Sequence, residues 1–180
     1  MWKRSGIFLL AATTLVTQSA RAGAESTFAP PNPSGFIGLR HFEKFTTNEA
    51  GRDLVLTSPE IPVPISWKEL VVSWNAAAPA GTFLKIEARG VYPERATKFY
   101  TLGLWSEDAL QHPRESVSHQ KDSDGNVSTD TLILEKAGAR AQIRVTLGSA
   151  EDGKKPALKF LGLSFLDPKT PGISLPSNQK

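Results

Sequence analysis

Five oxygen-bearing side chains alternate along one short run: Asp122, Asp124, Asn126, Ser128 and Asp130. Oxygen ligands at alternate positions are how a calcium loop is built. Asp122, Asp124, Asn126 and Asp130 are therefore the weak metal candidates of the chain. Two features oppose that reading. Gly125 stands at the fourth position where such a loop needs its glycine at the sixth, and Ile133 stands where the closing bidentate Glu belongs. A strand also keeps alternate residues on one face, whereas a cage needs the backbone to curl. The run reads as a polar hairpin tip, and no metal or other cofactor is expected. Asn126-Val127-Ser128 is in addition a glycosylation sequon, relevant only in a host with that machinery.

Other candidate chemistry is thinner. The three histidines, His41, His112 and His119, have no metal-ligand spacing and no cysteine beside them. A Ser/His/Asp hydrolase would need a nucleophile brought to His112 or His119, and no Gly-x-Ser-x-Gly elbow is present. The absence of cysteine removes thiol nucleophiles, zinc–thiolate sites and disulfides together. Neighbouring carboxylates such as Glu107 and Asp108, or Glu151 and Asp152, read as solvated turn residues, because glycosidase carboxylates must face each other across a cleft. No catalytic residue is assigned. The aromatics carry more: Trp67, Trp74 and Trp105 could form a platform for sugar rings, since an indole face is apolar yet attracts C–H groups. Trp74 and Trp105 sit in apolar runs and are expected in the core. Trp67, flanked by Ser66 and Lys68, is expected to be the most exposed, so Trp67 and then Trp105 are the ligand-binding candidates.

The elements that would hold these residues are strands. Apolar residues alternate over 70–74 and 83–88 around a Pro79/Gly81 break, which predicts a β-hairpin over 70–89. Further strands are predicted over 36–45, 53–57, 99–105, 114–120, 127–134, 139–147 and 157–166, with an Asp-Gly turn at 122–126 and a break at Gly138. Residues 61–65 alternate with Pro62 and Pro64 and read as an edge or loop. No window carries a convincing 3.6-residue stripe. The expected fold is all-β, a single antiparallel β-sandwich of jelly-roll type, with a closed barrel as the alternative.

The ends read differently. Lys3 and Arg4 precede the apolar run 6–17, and Ala20-Arg21-Ala22 (or Ala22-Gly23-Ala24) is a small-x-small cleavage site. Residues 1–22 thus read as a secretory signal peptide, its apolar run 6–17 too short to span a bilayer. Residues 23–35 are Pro-rich, 36–166 form the sandwich, and 167–180 read as a linker or tail. The leader holds three of the 21 basic residues and none of the 18 acidic ones, so the remainder balances at 18 against 18. The isoelectric point near 9.2 belongs to the leader, and no basic footprint for nucleic acid is left. The expected location is secreted or periplasmic, with no membrane span once the leader is removed.

Four segments in order, ELVVSWNAAAPAGTFLKIEAR (69–89), KFYTLGLWSED (98–108), DGNVSTDTLIL (124–134) and AQIRVTL (141–147), resemble one known arrangement. It is the N-terminal β-sandwich region of secreted bacterial cysteine peptidases, the bacteriocin-processing family numbered thirty-nine and its relatives. LDPKTPG and SLPSNQK look similar to the region just before the papain-like catalytic domain of those proteins. The resemblance spans roughly 42–180. It implies a non-catalytic accessory module, because the family's nucleophile is a cysteine and this chain has none. The expected function is substrate or surface binding, or support of a peptidase-like catalytic domain. The alternative is a carbohydrate-binding module acting on a cell-envelope polymer.

Overall fold

The computed structural model describes residues 35–108, 110 and 117–169. Two long strands organise it. In β4 (Ile61–Ala77), Ile61, Val63 and Trp67 are buried, and then the inward phase switches to Leu70 and Val72. β8 (Thr131–Gly148) does the same, burying Leu132 and Leu134 and then Ala141, Ile143, Val145 and Leu147. Side chains alternate strictly with period two, so a switch of phase needs an irregularity in the ladder. The β4–β8 register shifts on both sides of the Trp67↔Gly138 pair. Residues 63–66 face only Ala139, and residues 134–137 face only Lys68. Both strands therefore crease at the same level, and each serves two facing halves of the structure.

The remaining strands hang on this pair. One half runs β1 (Phe36–Leu39), β9 (Ala157–Leu166), late β4, early β8 and β7 (Gly125–Ser128). The other runs β2 (Thr46–Ala50), β3 (Asp53–Thr57), late β8, β5 (Phe83–Val91) and β6 (Tyr100–Trp105). Every ladder is antiparallel, and the described residues contain no helix. The fold is an all-β sandwich made from one curled sheet. Among the described residues β1, β2, β6 and β7 each pair on one side only, so the sheet is open and the barrel alternative is excluded.

One apolar cluster lies between the halves, built on Trp67, Leu70, Leu84, Ile86, Tyr100, Leu132, Ile143, Leu161 and Phe165, all fully buried. Each such aliphatic or aromatic side chain contributes about 1.5–3 kcal/mol relative to exposure.

Several local expectations are corrected. Residues 70–89 are not a hairpin: late β4 pairs with β9, whereas β5 pairs with β8 and β6. The 78–82 connection crosses between halves, with the backbone N–H and hydroxyl of Thr82 donating to the Pro79 carbonyl at 3.0 and 2.6 Å. A Pro/Gly break marks a reversal without choosing the partner. The Asp-Gly pair is not a hairpin tip either. Gly125 begins β7, where a Cβ would lie 2.6 Å from the Ile133 carbonyl oxygen, and the chain reverses at Thr129–Asp130 with Thr129 at φ 56°. Gly138 lies inside β8 and does not end it. Residues 61–65 open β4 with both prolines exposed, Pro62 opposite Arg140 and Pro64 where the ladder to β8 lapses. The first predicted strand shrinks to Phe36–Leu39, and a β2–β3 hairpin turning at Gly51 (φ 64°) adds a strand the alternation did not reveal. Residues 117–120 form no strand, and 114–116 lie outside the described residues.

Candidate functional site

The acidic run is consumed by protein contacts. Asp122 Oδ1 accepts from the Tyr100 hydroxyl at 2.6 Å and from the backbone N–H groups of Asp124 and Gly125 at 2.9 and 3.0 Å. Its other oxygen is 2.9 Å from Lys98 Nζ. Arg95 donates a bidentate pair to Asp124, both bonds at 2.7 Å. Asn126 lies on β7 and Asp130 at the hairpin tip, so the four metal candidates do not converge. No group of three or more metal-ligating side chains occurs among the described residues. The network instead clamps the loop after β5 onto the start of β7.

Partial burial alone would raise the Asp122 carboxyl, but the bonds from Tyr100, Lys98 and two backbone N–H groups outweigh it and hold the pKa far below the usual carboxylate value. Burial, reinforced by the bond to Asp122, pushes the Tyr100 phenol up. A carboxylate depressed on folding contributes stability that is present above its unfolded pKa of about 3.9 and is lost as pH falls through its folded value. Asp122→Asn should therefore lower the urea midpoint at pH 7, and the gap to the parent should narrow below about pH 4. Urea melts across that range check this.

The histidines do not assemble a catalytic group. His41 is exposed, 3.7 Å from Glu43. His119 is exposed at φ 61°, its Nδ1 2.8 Å from the hydroxyl of adjacent Ser118, and no carboxylate pairs with it among the described residues. His112 lies outside them.

Trp67 is where the sequence expectation fails. It is fully buried, packed edge-on against Phe165 at 5.0 Å in the crease, where Gly138 leaves room for its indole. Ser66 and Lys68 point outward because their neighbour points in. Trp67 cannot offer its ring to a ligand. Trp74 and Trp105, both expected in the core, are half-buried and pack against its edge. With Ser73, Asn75 and Ala76 they line a shallow hollow of about 480 Å³ at the rim. Trp74 reaches across to β6, its ring end over Gly103.

Two more surfaces stand out. On the outer face of late β8 and β5, Arg144 clamps the Glu87 carboxylate at 2.7 and 2.8 Å, and Arg89 holds Gln142 Oε1 at 2.9 and 2.6 Å. Both guanidinium groups lie over the Phe99 ring, at 4.1 and 4.4 Å from its centroid. On the outer face of the other half, Phe36 and Val71 both stand opposite Ser164, and Leu166 follows two residues later. Directly opposed residues share a face, so these three exposed apolar side chains lie together. Phe160 extends the patch, its ring with that of Phe36 lying over Gly38 and Gly162. No sequence motif marked this row. The signal was the outward phase of β9, which carries apolar side chains at Phe160 and Leu166 where an exposed face normally carries polar ones.

Comparison with known proteins adds one match. The family model described as the Peptidase C39 N-terminal domain matches residues 39–165, which takes in nearly all of the sandwich. No curated protein and no solved structure matches the chain. Because the matched span covers well over half of the sequence and runs from β1 to β9, the chain belongs to the Peptidase C39 N-terminal domain family.

Proposed function

We propose that this protein is an exported, non-catalytic module that packs against a peptidase-like catalytic domain through the apolar row Phe36, Val71 and Leu166. The observation that carries the reading is the place of that row. Leu166 is the last residue of β9, immediately before the Pro-containing segment 167–180, so the row lies where the sandwich hands over to the segment that resembles an interdomain linker. Contiguous exposed apolar side chains on a water-facing sheet favour a protein partner. The family match supports the accessory role, and the absence of cysteine from the sequence agrees with it. The leader-like composition of residues 1–22 supports export.

The test mixes the purified chain with a cysteine-peptidase catalytic domain of the same family from the same organism. A complex should form, and the chain alone should hydrolyse no peptide. Val71→Asp with Leu166→Asp should weaken the complex more than tenfold without changing the thermal midpoint. Hydrolysis by the chain alone, or an equally tight complex in the double variant, would overturn the reading.

A further inference from the structure

Late β4 carries an edge with no described strand beside it. Residues 72–77 pair with β9 on one side, but β8 accompanies β4 only as far as Val71, where the β7–β8 hairpin turns away. The other edge of this stretch has no strand beside it among the described residues. β6 is also an edge strand, and there the structure supplies a substitute: the Gln120 side chain accepts from Thr101 N–H at 2.6 Å and donates to Thr101 O at 2.7 Å, as a neighbouring strand would. No described side chain does this along residues 72–76. The Ser73 hydroxyl turns to Gly162 O, on β9.

Natural edges are normally blunted with charge, proline or a bulge. This one reads Val-Ser-Trp-Asn-Ala-Ala, with no charge and no proline, and its one irregularity is a register shift against β9 between Asn75 and Ala76. It borders the hollow between Trp74 and Trp105. The Nε1–H groups of both indoles make no hydrogen bond to a described residue. The hollow thus combines a strand edge, two indole N–H donors, an exposed amide at Asn75 and no ionisable side chain in its lining.

We infer that this edge binds an uncharged, extended peptide by strand addition. Backbone groups of late β4 would form the ladder, and side chains of the guest would alternate between the two faces. Those on the inner side would sit between Trp74 and Trp105 and should be apolar. Those on the outer side would lie by Ser73 and Asn75 and should be small and polar. An edge ladder selects a peptide over a sugar, because its donors and acceptors repeat at the spacing of another backbone. The site is separate from the apolar row on the outer face and does not rest on the role proposed for that row.

Two measurements on the whole chain test this. Hydrogen exchange of the free protein should show alternate amides of residues 72–76 exchanging at least 100-fold faster than those of 161–165. Protection of all of them would overturn the inference. The second measurement titrates a library of acetylated, amidated octapeptides alternating Ser, Thr or Asn with Val, Leu or Phe, followed by amide NMR shifts and tryptophan fluorescence. The best binder should move the 72–76 amides and slow their exchange. Its N-methylated counterpart, which lacks alternate donors, should bind at least tenfold more weakly. Trp105→Ala should weaken binding by a similar factor, and Trp105→Phe, which keeps an aromatic ring but loses the indole donor and some contact area, by less. No shift with any library member, equal binding of the N-methylated peptide, a response to maltohexaose alone, or dimerisation of the chain through this edge would each overturn the proposal.

Discussion

Replacing Trp67 with alanine is expected to lower the unfolding free energy by about 3–5 kcal/mol, the range for truncating a buried aromatic that leaves a cavity. The site gives the neighbours little scope to close in. Trp67 fills the crease where β4 and β8 both change phase, and it is fully buried against Phe165. Its loss removes the side chain that joins the two halves at their common bend. Trp67→Phe should cost far less, because the indole Nε1–H is buried with no hydrogen-bond partner, and an unpaired buried donor costs about 1–3 kcal/mol. Phenylalanine forfeits some packing and removes that penalty. Urea denaturation of the two variants checks both the size and the order. A Trp67→Ala protein within about 1 kcal/mol of the parent would show that the crease repacks freely.

The second large effect lies on the outer face of the other half. Arg144→Met should destabilise by about 3 kcal/mol, because it strands a carboxylate that the fold has desolvated. The Glu87 side chain is only 6% exposed, and Arg144 supplies both of its short charged hydrogen bonds. Lys85, at 3.5 Å from Glu87 Oε1, offsets part of the loss. Arg144 itself is one-third exposed and also covers Phe99, so Glu87→Gln should be milder: the cation left behind still reaches water. The double variant Glu87→Leu, Arg144→Met should recover much of the loss, since apolar replacement of both partners leaves no buried charge. A double-mutant cycle in urea measures this. Simple additivity of the two single effects would show that the pair is not coupled.

The aromatic sites show why local pattern reading misplaced Trp67. Ser66 and Lys68 suggested exposure of Trp67, yet in a strand polar neighbours on both sides mean that the residue between them faces the other way. In that sense the burial of Trp67 was written in its flanks. Trp74 and Trp105 also follow the inward phase, and their apolar surroundings argued correctly that they face the core. They remain half-exposed because β4 outruns β8 and β6 has no outer neighbour, and both facts depend on which strands pair. The acidic run likewise alternates as it reads, but the carboxylates of Asp122 and Asp124 are taken up by Arg95, Lys98 and Tyr100. Those partners enter from the loop after β5 and from β6, segments that sequence distance does not connect to Asp122.

Residue types and their alternation settled that this chain is all-β, that it has no thiol chemistry, and that its strands fall roughly where they do. These are properties of single segments, or sums over the chain, and period two is a local consequence of backbone geometry. The family, too, was legible in four short segments. Tertiary structure alone decided that 70–89 is a crossing between halves and not a hairpin, that Trp67 closes a crease, that Phe36, Val71 and Leu166 meet in one row, and that late β4 outruns β8. Each of these is a question of partner choice. Alternation says which side chains share a face, but the same strand satisfies its ladder with any neighbour. Only the burial of every apolar face at once, around one core, selects among them.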